Sequence, residues 1–257
     1  NNLVDFIKET LNKLEVKDTQ KLNAASKKIV DKILHADLSK ELVDQVFKLY
    51  RNLKRGDRNP LVAVRSSATA EDLPDASFAG QQESFLNIKG EANLVQAIRK
   101  AWASLFGARA IFYRATKGFD HFKVALAIPV QLMVQSDVSG VMFSINPVTN
   151  NKNQIVIEAV WGLGDYIVQG VVTPDHYVVN KTDYLIHSRL ISEQVVMEVY
   201  KHPSGVKQVK VDKKKIKLQK LSDDQIIKLA NFANQIHNHY FFPQDMEWAI
   251  QKGEIYI

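Results

Sequence analysis

The sequence contains no cysteine, which excludes disulfide bonds and metal sites built from thiolates. It has no glycine before Gly56, whereas nine of its eleven glycines fall between Gly80 and Gly205. Chemistry that needs exposed glycine-rich backbone is therefore expected after residue 56. Long hydrophobic runs are also missing, because no apolar stretch reaches bilayer-spanning length and no signal-peptide pattern opens the chain. These absences predict a cytoplasmic protein with no membrane partner.

Positive charge is concentrated in one short stretch. The net charge of the chain is +6, yet residues 201–220 alone hold eight lysines and one aspartate, so the rest of the chain is close to neutral. Alternating apolar residues around a turn at Gly205 predict a lysine-protected hairpin that extends to Leu218. The alternative, a nucleic-acid interface, predicts steep salt-dependent retention on DNA or RNA. No aromatic residues accompany these lysines, so we expect no nucleic-acid partner.

Hydrophobic spacing predicts an α+β fold. Spacings of three and four residues predict helices in the first 55 residues, over 91–115 and from Ser222, where SDDQ fits a capping box. Strands are expected at 61–66 and 84–88, along a nearly continuous apolar run over 122–134, in four later segments, and as a terminal pair around Lys252-Gly253. We place residues 1–120 in a helical lobe and residues 121–257 in a strand-rich lobe.

The stretch VRSSATAEDLPDASFAGQQESFLNI at 64–88 places one arginine at a strand end beside a run of small residues. Small residues let backbone N–H groups approach a ligand, and a guanidinium offers a fixed fork of donors for phosphate oxygens. Arg65 and this loop are therefore a candidate phosphate site. The alternative that Arg65 pairs with Glu71 or Asp72 in an ordinary surface loop stays open.

Two strand segments carry weaker signals. Residues 130–134, with Gln131 and Met133, suit the edge and the face of an adenine ring, although any buried strand looks similar. Asp245 and Glu247 fall on one face of a strand, as Mg²⁺ ligands would, although an exposed polar face has the same pattern. WGLGDYIVQG at 161–170 lacks the context of a dinucleotide-binding fingerprint and is interpreted as a tight turn beside the nucleotide.

Four segments together resemble a known family: the stretch at 64–88, VQLMVQSDVSGVMFSINPVT, EAVWGLGDYIVQGVVTPDHYVV and DMEWAIQKGEIYI. They resemble the nucleotide-binding domain of phosphoenolpyruvate synthases (pyruvate, water dikinases), a pattern shared by rifampin phosphotransferases and pyruvate, phosphate dikinases. The resemblance covers residues 60–257. It implies an ATP-grasp fold, in which two lobes surround ATP.

The resemblance also implies roles for individual residues. Arg65 is expected to contact the ATP phosphates, and Gly80 and Ser84 to line the phosphate site. Gln131 is expected to meet the adenine, with Met133 and Val134 in the hinge segment. Glu247 is expected to bind Mg²⁺ or ATP.

The family pattern implies a reaction in several domains. A histidine on a separate swivelling domain attacks the β-phosphorus of Mg·ATP, AMP leaves, and the phosphoryl group passes to pyruvate. An antibiotic-phosphorylating relative and a non-catalytic ATP-binding module are the alternatives. The family's glycine-rich, lysine-bearing segment and its Gln-x-Arg-Pro motif do not occur in this sequence, and Asp165 stands where relatives often have Glu. We therefore expect a fragment truncated at both ends, inactive by itself and lacking the phosphohistidine and pyruvate-binding domains.

Overall fold

The protein is described by a computed structural model that covers residues 2–54, 56–69, 72–73, 76–77 and 84–257, with the backbone alone at 72–73 and 76–77. It mixes helices and strands, which confirms the α+β class. The chain forms two compact units, one of residues 1–133 with 202–205 and one of residues 134–201 with 206–257. Within the described ranges, no helix combines the length and apolar character needed to cross a membrane.

The first unit begins with three helices and continues with short strands and two more helices. Its elements are α1 (Leu3–Leu11), α2 (Thr19–Leu34), α3 (Lys40–Asn52), β1 (Val62–Val64), β2 (Ser67–Ala68), β3 (Asp72–Leu73), β4 (Ala76–Ser77), β5 (Phe85–Ile88), α4 (Glu91–Ser104), α5 (Ala108–Lys117), β6 (Leu126–Ala127) and β7 (Val130–Leu132).

A three-stranded antiparallel sheet in the order β5-β1-β7 lies at the centre of this unit. Val62 and Val64 of β1 are fully buried against the apolar stripe of α4, which includes Leu94, Ile98 and Ala101. Side chains alternate along a strand, so the intervening residues of β1 face away from α4. All three residues of β1 are buried, and its face away from α4 carries only the small side chain of Ala63.

The predicted single helix over 91–115 is wrong, because the structure has two helices. The break falls at residues 105–107, where Gly107 takes an extended backbone (ψ 149°) and precedes α5. Glycine has low helix propensity, so it favours a break at this point. Arg114 of α5 donates to the carbonyl of Leu105 and, over 3.0 Å, to Nδ1 of His121, which holds the turn in place.

The predicted long strand over 122–134 is also wrong. Pro129 has no N–H and interrupts the apolar run, which forms two short strands in different sheets. β6 pairs with β2, whereas β7 pairs with β1. Leu132 and Gln131 are exposed, so the run is not buried on both faces.

The second unit is built around a larger sheet. Its elements are β8 (Val138–Phe143), β9 (Gln154–Trp161), α6 (Asp165–Val168), β10 (Asp175–Asn180), β11 (Ile186–Leu190), β12 (Val196–Tyr200), β13 (Val206–Lys210), α7 (Asp223–Tyr240), β14 (Asp245–Gln251) and β15 (Glu254–Tyr256).

Six of these strands form an antiparallel sheet in the order β11-β10-β9-β8-β14-β15. The buried stripe of α7, which includes Ile226, Leu229 and Ala233, packs on one face of it. Met246 and Trp248 of β14 belong to the same core, so the alternate residues of β14 lie on the face away from α7. The capping box at Ser222 and Gln225 and the terminal strand pair are both confirmed.

The lysine-rich stretch contains a shorter hairpin than the sequence predicts. β12 pairs with β13 across a turn that includes Gly205 at φ +92°. The second strand does not continue to Leu218, because residues 213–218 form turns. Where these turns begin, the Asp212 carboxylate accepts a hydrogen bond from the N–H of Lys214. The tip of the hairpin belongs to the first unit, in which Gly205 N and Ser204 Oγ both donate to the Asn87 carbonyl at 2.9 and 3.0 Å.

Candidate functional site

Arg65 lies where the sequence places it, directly after β1. Its N–H donates to the Pro129 carbonyl over 3.0 Å and continues the pairing of β1 with β7. Because Val64 points into the core against α4, the side chain of Arg65 lies on the opposite face of the sheet. Gln131, which pairs with Ala63, projects from this same face. The first unit therefore presents the predicted phosphate ligand and the predicted adenine ligand on one face.

The start of the small-residue loop is fixed by backbone pairing. Thr69 N donates to the Ala125 carbonyl over 3.0 Å, and Ala125 N donates to the Thr69 hydroxyl over 3.1 Å. Ser67 pairs with Ala127 in the short β2–β6 sheet, and Ser84, at the end of the loop, is exposed. Gly80 lies outside the described residues.

The pairing of β1 with β7 shows which backbone groups β7 presents outward. Met133 N donates to the Leu61 carbonyl over 2.9 Å, and the register makes Ala63–Gln131 the next hydrogen-bonded pair. In an antiparallel pair the intervening residues direct their N–H and C=O groups away from the partner. The outward groups of β7 are therefore those of Val130 and Leu132. Among the described strands, only β1 pairs with β7.

This geometry refines the expectation for the 130–134 segment. The N–H of Met133 is already used within the sheet, so it is not available to a ligand. Leu132 offers an N–H donor and a C=O acceptor side by side, a combination that can pair with the edge of a purine ring. The sequence pattern pointed to Gln131 and Met133, the neighbours of Leu132. It could not point to Leu132 itself, because the direction of a backbone group depends on strand register, and register is not visible in the sequence. Val134 is half-buried and begins the second unit.

Asp245 and Glu247 both lie on the exposed face of β14, opposite the buried Met246 and Trp248. The face that period-two spacing predicted is therefore confirmed, and a metal role for it stays a prediction. Carboxylate oxygens on an exposed strand fit Mg²⁺, which keeps several waters and takes further ligands from nucleotide phosphates. No group of three His, Asp or Glu side chains suited to a metal ion occurs among the residues described. These carboxylates are thus partial ligands at most.

Sequence reasoning missed Glu158. Strand register aligns Glu247 of β14 with Val141 of β8, and Val141 with Glu158 of β9, so both glutamates lie in one row on the face away from α7. Two strand spacings separate them by roughly 10 Å. His176 continues the row on β10, with Nδ1 3.4 Å from Glu158 Oε1. The signal was present, since Glu158 is the one charged residue within the apolar run QIVIEAVW.

The glycine turn that follows β9 is held by several hydrogen bonds. The Gly162 carbonyl accepts from the hydroxyls of Ser136 and Ser139 at 2.8 and 2.7 Å, and its N–H donates to the Asp137 carbonyl over 3.0 Å. A Cβ atom at Gly162 would lie 2.5 Å from the Glu198 carbonyl oxygen, and its φ is +83°. The predicted tight turn is confirmed, and the close approach of the Glu198 backbone leaves no room for a side chain at Gly162.

Glu198 is a buried carboxyl group beside this turn. It is 5% exposed, and its Oε2 has no hydrogen-bond partner among the described residues. Burial, reinforced by the charge of Asp165, raises the pKa of Glu198 to about 7. Tyr166 is affected in turn, because desolvation and the nearby carboxylates raise the pKa of its hydroxyl. Sequence patterns gave no sign of this group, since β12 itself was not predicted.

Comparison with known proteins adds to this geometry. The profile of the family described as "Pyruvate phosphate dikinase, AMP/ATP-binding domain" matches residues 1–257. The chain is similar to a "Probable phosphoenolpyruvate synthase" of Methanocaldococcus jannaschii, with 47% identity over 257 residues that cover 99% of this chain and 22% of the relative. It is also similar to a "Phosphoenolpyruvate synthase" of Pyrococcus furiosus, with 44% identity over 266 residues that cover 99% of this chain and 32% of the relative. Another relative, a "Phosphoenolpyruvate synthase" of Aeropyrum pernix, is 39% identical over 275 residues, which cover 96% of this chain and 34% of that protein. The chain therefore spans about a third, or less, of the length of these relatives.

Proposed function

This chain belongs to the pyruvate phosphate dikinase AMP/ATP-binding domain family, and we propose that it binds Mg·ATP as the nucleotide-binding part of a phosphoenolpyruvate synthase-like dikinase. The observation that carries the proposal is the common sheet face of Arg65 and Gln131, next to the outward edge of β7. An ATP-grasp fold, as the sequence resemblance implies, is part of the proposal.

Arg65 is proposed to bind the phosphates of ATP. Its backbone is fixed by pairing with Pro129, so binding of a ligand by its guanidinium does not require this part of the backbone to become ordered. Bidentate arginine–phosphate hydrogen bonds are among the strongest that a side chain makes. Ser84, exposed at the other end of the loop, and Gly80 are proposed to lie beside these phosphates.

The adenine is proposed to bind along β7. The N–H and C=O groups of Leu132 match the acceptor and donor on the adenine edge, whereas guanine presents a different donor and acceptor order. Gln131 and the side chains of Met133 and Val134 would complete the contact. Preference for ATP over GTP would then come from the strand backbone, which a side-chain substitution does not remove.

Magnesium is proposed to bind through Glu247, with Asp245 on the same strand face. The ion would neutralise charge on the phosphates. The protein's own contribution would be to place Arg65 and the carboxylates so that the β-phosphorus of the bound triphosphate is accessible to the attacking group.

The reaction of the whole protein is proposed by resemblance to the family. A histidine outside these residues attacks the β-phosphorus of ATP, and the bond from that phosphorus to the oxygen shared with the α-phosphate breaks. That oxygen leaves with AMP, and the histidine then carries the β- and γ-phosphates as a pyrophosphoryl group. Water attacks the γ-phosphorus, inorganic phosphate leaves, and the β-phosphoryl group that stays on the histidine is passed to pyruvate. The part played by Arg65 is to stabilise negative charge on the phosphate oxygens as that bond breaks.

Calorimetric titration tests the phosphate role of Arg65. We expect Arg65→Ala to weaken Mg·ATP binding by roughly 10- to 100-fold, because a charge-assisted hydrogen bond contributes about 1.5–3 kcal/mol. Adenosine binding is expected to change less than threefold, since adenosine lacks phosphates. The matched control is Arg58→Ala, at the other end of β1, which should leave both affinities unchanged.

An equal loss for ATP and adenosine would show that Arg65 supports the fold and does not bind phosphate. An Arg65→Ala variant that binds Mg·ATP as tightly as Arg58→Ala would contradict the assignment. Circular dichroism of each variant separates a loss of folding from a loss of binding.

A further inference from the structure

Large apolar side chains are exposed at one end of the six-stranded sheet. We call this surface the aromatic end and define it by Tyr240, Phe241 and Phe242 at the end of α7, Val148 in the β8–β9 turn and Leu185 in the β10–β11 turn. Their exposed fractions are 53%, 91%, 58%, 84% and 66% in that order. Three consecutive aromatic residues contribute most of the apolar surface.

Strand register places these residues at the same end of the sheet. Phe143, the last residue of β8, pairs with Asp245, the first of β14, and Gln154 at the start of β9 pairs with Asn180 at the end of β10. The end of α7 is held there too, because His237 Nδ1 lies 3.1 Å from the Ser144 hydroxyl. The opposite end of the sheet carries Gly162, so the aromatic end lies away from the glycine turn, whereas Asp245, the first residue of β14, lies at the aromatic end itself.

Phe241 has an unfavourable conformation as well as an exposed ring. It ends α7 in the left-handed region at φ +64°, where residues other than glycine lose roughly 1–2 kcal/mol. The ring is 91% exposed, so burial does not offset this cost within the described chain. Its neighbours Tyr240 and Phe242 contact one another, with ring centroids 6.3 Å apart. An exposed aromatic cluster held at a conformational cost is typical of an interaction surface.

We propose that the aromatic end is the surface on which another domain of the same, longer polypeptide docks. The Methanocaldococcus, Pyrococcus and Aeropyrum relatives are about three times as long as the segment this chain matches, or longer. A protein of that length holds further domains, and an intramolecular partner is present at high effective concentration. A domain that docks here would leave the glycine turn at the opposite end of the six-stranded sheet uncovered. The docking face of that domain would be an apolar pocket able to take the rings of Phe241 and Phe242.

Cysteine labelling of the full-length protein tests the proposal. Residues 1–257 contain no native cysteine, so a single cysteine introduced there is located by peptide mass. His239→Cys places the label in the last turn of α7, and Lys228→Cys places a matched control on an exposed position two to three turns earlier in the same helix. We expect His239→Cys to react at least about tenfold more slowly with a maleimide. Adding Phe241→Gly and Phe242→Ser should restore the rate of the control.

Two results would overturn the proposal. Equal labelling at positions 239 and 228 would mean that the aromatic end is uncovered in the full-length protein. Slow labelling that disappears on dilution would mean that a second copy covers the surface, and not a domain of the same polypeptide. Misfolding does not confuse the test, because Phe241→Gly relieves a strained conformation and should raise the free energy of unfolding. Loss of ATP binding in Arg65→Ala has no bearing on either result.

Discussion

At the scale of single residues, Gly162 shows how tightly the turn after β9 is built. Its carbonyl accepts two hydroxyl hydrogen bonds, and the space beside its Cα is occupied by the backbone of Glu198. Gly170, eight residues later, also has a positive φ, of +67°, but no atom lies within 4 Å of an added Cβ. An alanine at Gly170 would therefore meet only the cost of a positive φ, whereas an alanine at Gly162 would meet that cost and a steric clash as well.

We expect Gly162→Ala to lower the free energy of unfolding by about 3 kcal/mol or more, and Gly170→Ala by about 1 kcal/mol. Both substitutions place alanine at a positive φ, which accounts for the smaller loss. Only the first also forces a methyl group against the Glu198 carbonyl oxygen, whose backbone cannot move without disturbing β12. Urea denaturation measures both variants. Equal losses in the free energy of unfolding would show that the turn widens to accept the methyl group and is not rigid.

At the scale of secondary-structure elements, the sequence predicts features whose partners lie close together in the chain, although two local breaks, at Gly107 and Pro129, were missed. The capping box at Ser222 was predicted because its two partners lie within one helical turn. Pro129 carried a local signal too, but the apolar composition around it suggested one strand instead of two. The turn of the hairpin was correctly predicted at Gly205, but its second strand was extended to Leu218, because apolar residues continue to alternate with lysines beyond Lys210. Nothing in the sequence indicates that Gln194 caps the end of β9, where its amide exchanges two hydrogen bonds with the backbone of Trp161.

A buried ion pair joins elements that are far apart in sequence. Lys220 Nζ lies 2.6 Å from Asp175 Oδ1, and both side chains are fully buried. Asp175 also accepts from the N–H of Ser192 at 2.9 Å and from the Tyr177 hydroxyl at 2.7 Å. Burial, together with the bond to Asp175, raises the pKa of Tyr177, so its hydroxyl stays a donor. The pair ties the start of β10 to the segments before β12 and α7.

We expect Lys220→Met to lower the free energy of unfolding by about 3–5 kcal/mol, because it leaves the Asp175 carboxylate buried without its counter-ion. The control is Lys217→Met, which removes an exposed pair with Glu193 and should cost less than about 1 kcal/mol. Thermal or urea unfolding is followed by tryptophan fluorescence, to which Trp161 and Trp248 of this unit contribute. A loss for Lys220→Met no larger than that of the control would contradict the structural role of the pair.

At the scale of the whole molecule, the sequence indicated the α+β class and most of the candidate ligands but not how they are presented. Arg65, Asp245 and Glu247 were found because strand ends and period-two alternation are visible in a sequence. Leu132 and Glu158 were missed, since their directions follow from pairing between segments separated by many residues. Glu198 was missed for a related reason: the burial of a charged residue depends on what packs over it.

The response of the molecule to pH follows from Glu198. Its pKa is about 7 in the folded protein and close to 4.5 in the unfolded chain, so the folded state binds more protons between these values. Stability due to this group is therefore greatest below pH 4.5 and falls as the pH rises to about 7, by about 3 kcal/mol in total.

We expect Glu198→Gln, compared with the unsubstituted protein, to gain stability progressively between pH 4.5 and 7.5. Urea denaturation at a series of pH values measures the difference, and Glu254→Gln, at an exposed position in β15, is the control that should show no such trend. A stability difference that stays constant with pH would mean that Glu198 is ionised in the folded protein at pH 5 and that its carboxylate has a compensating partner.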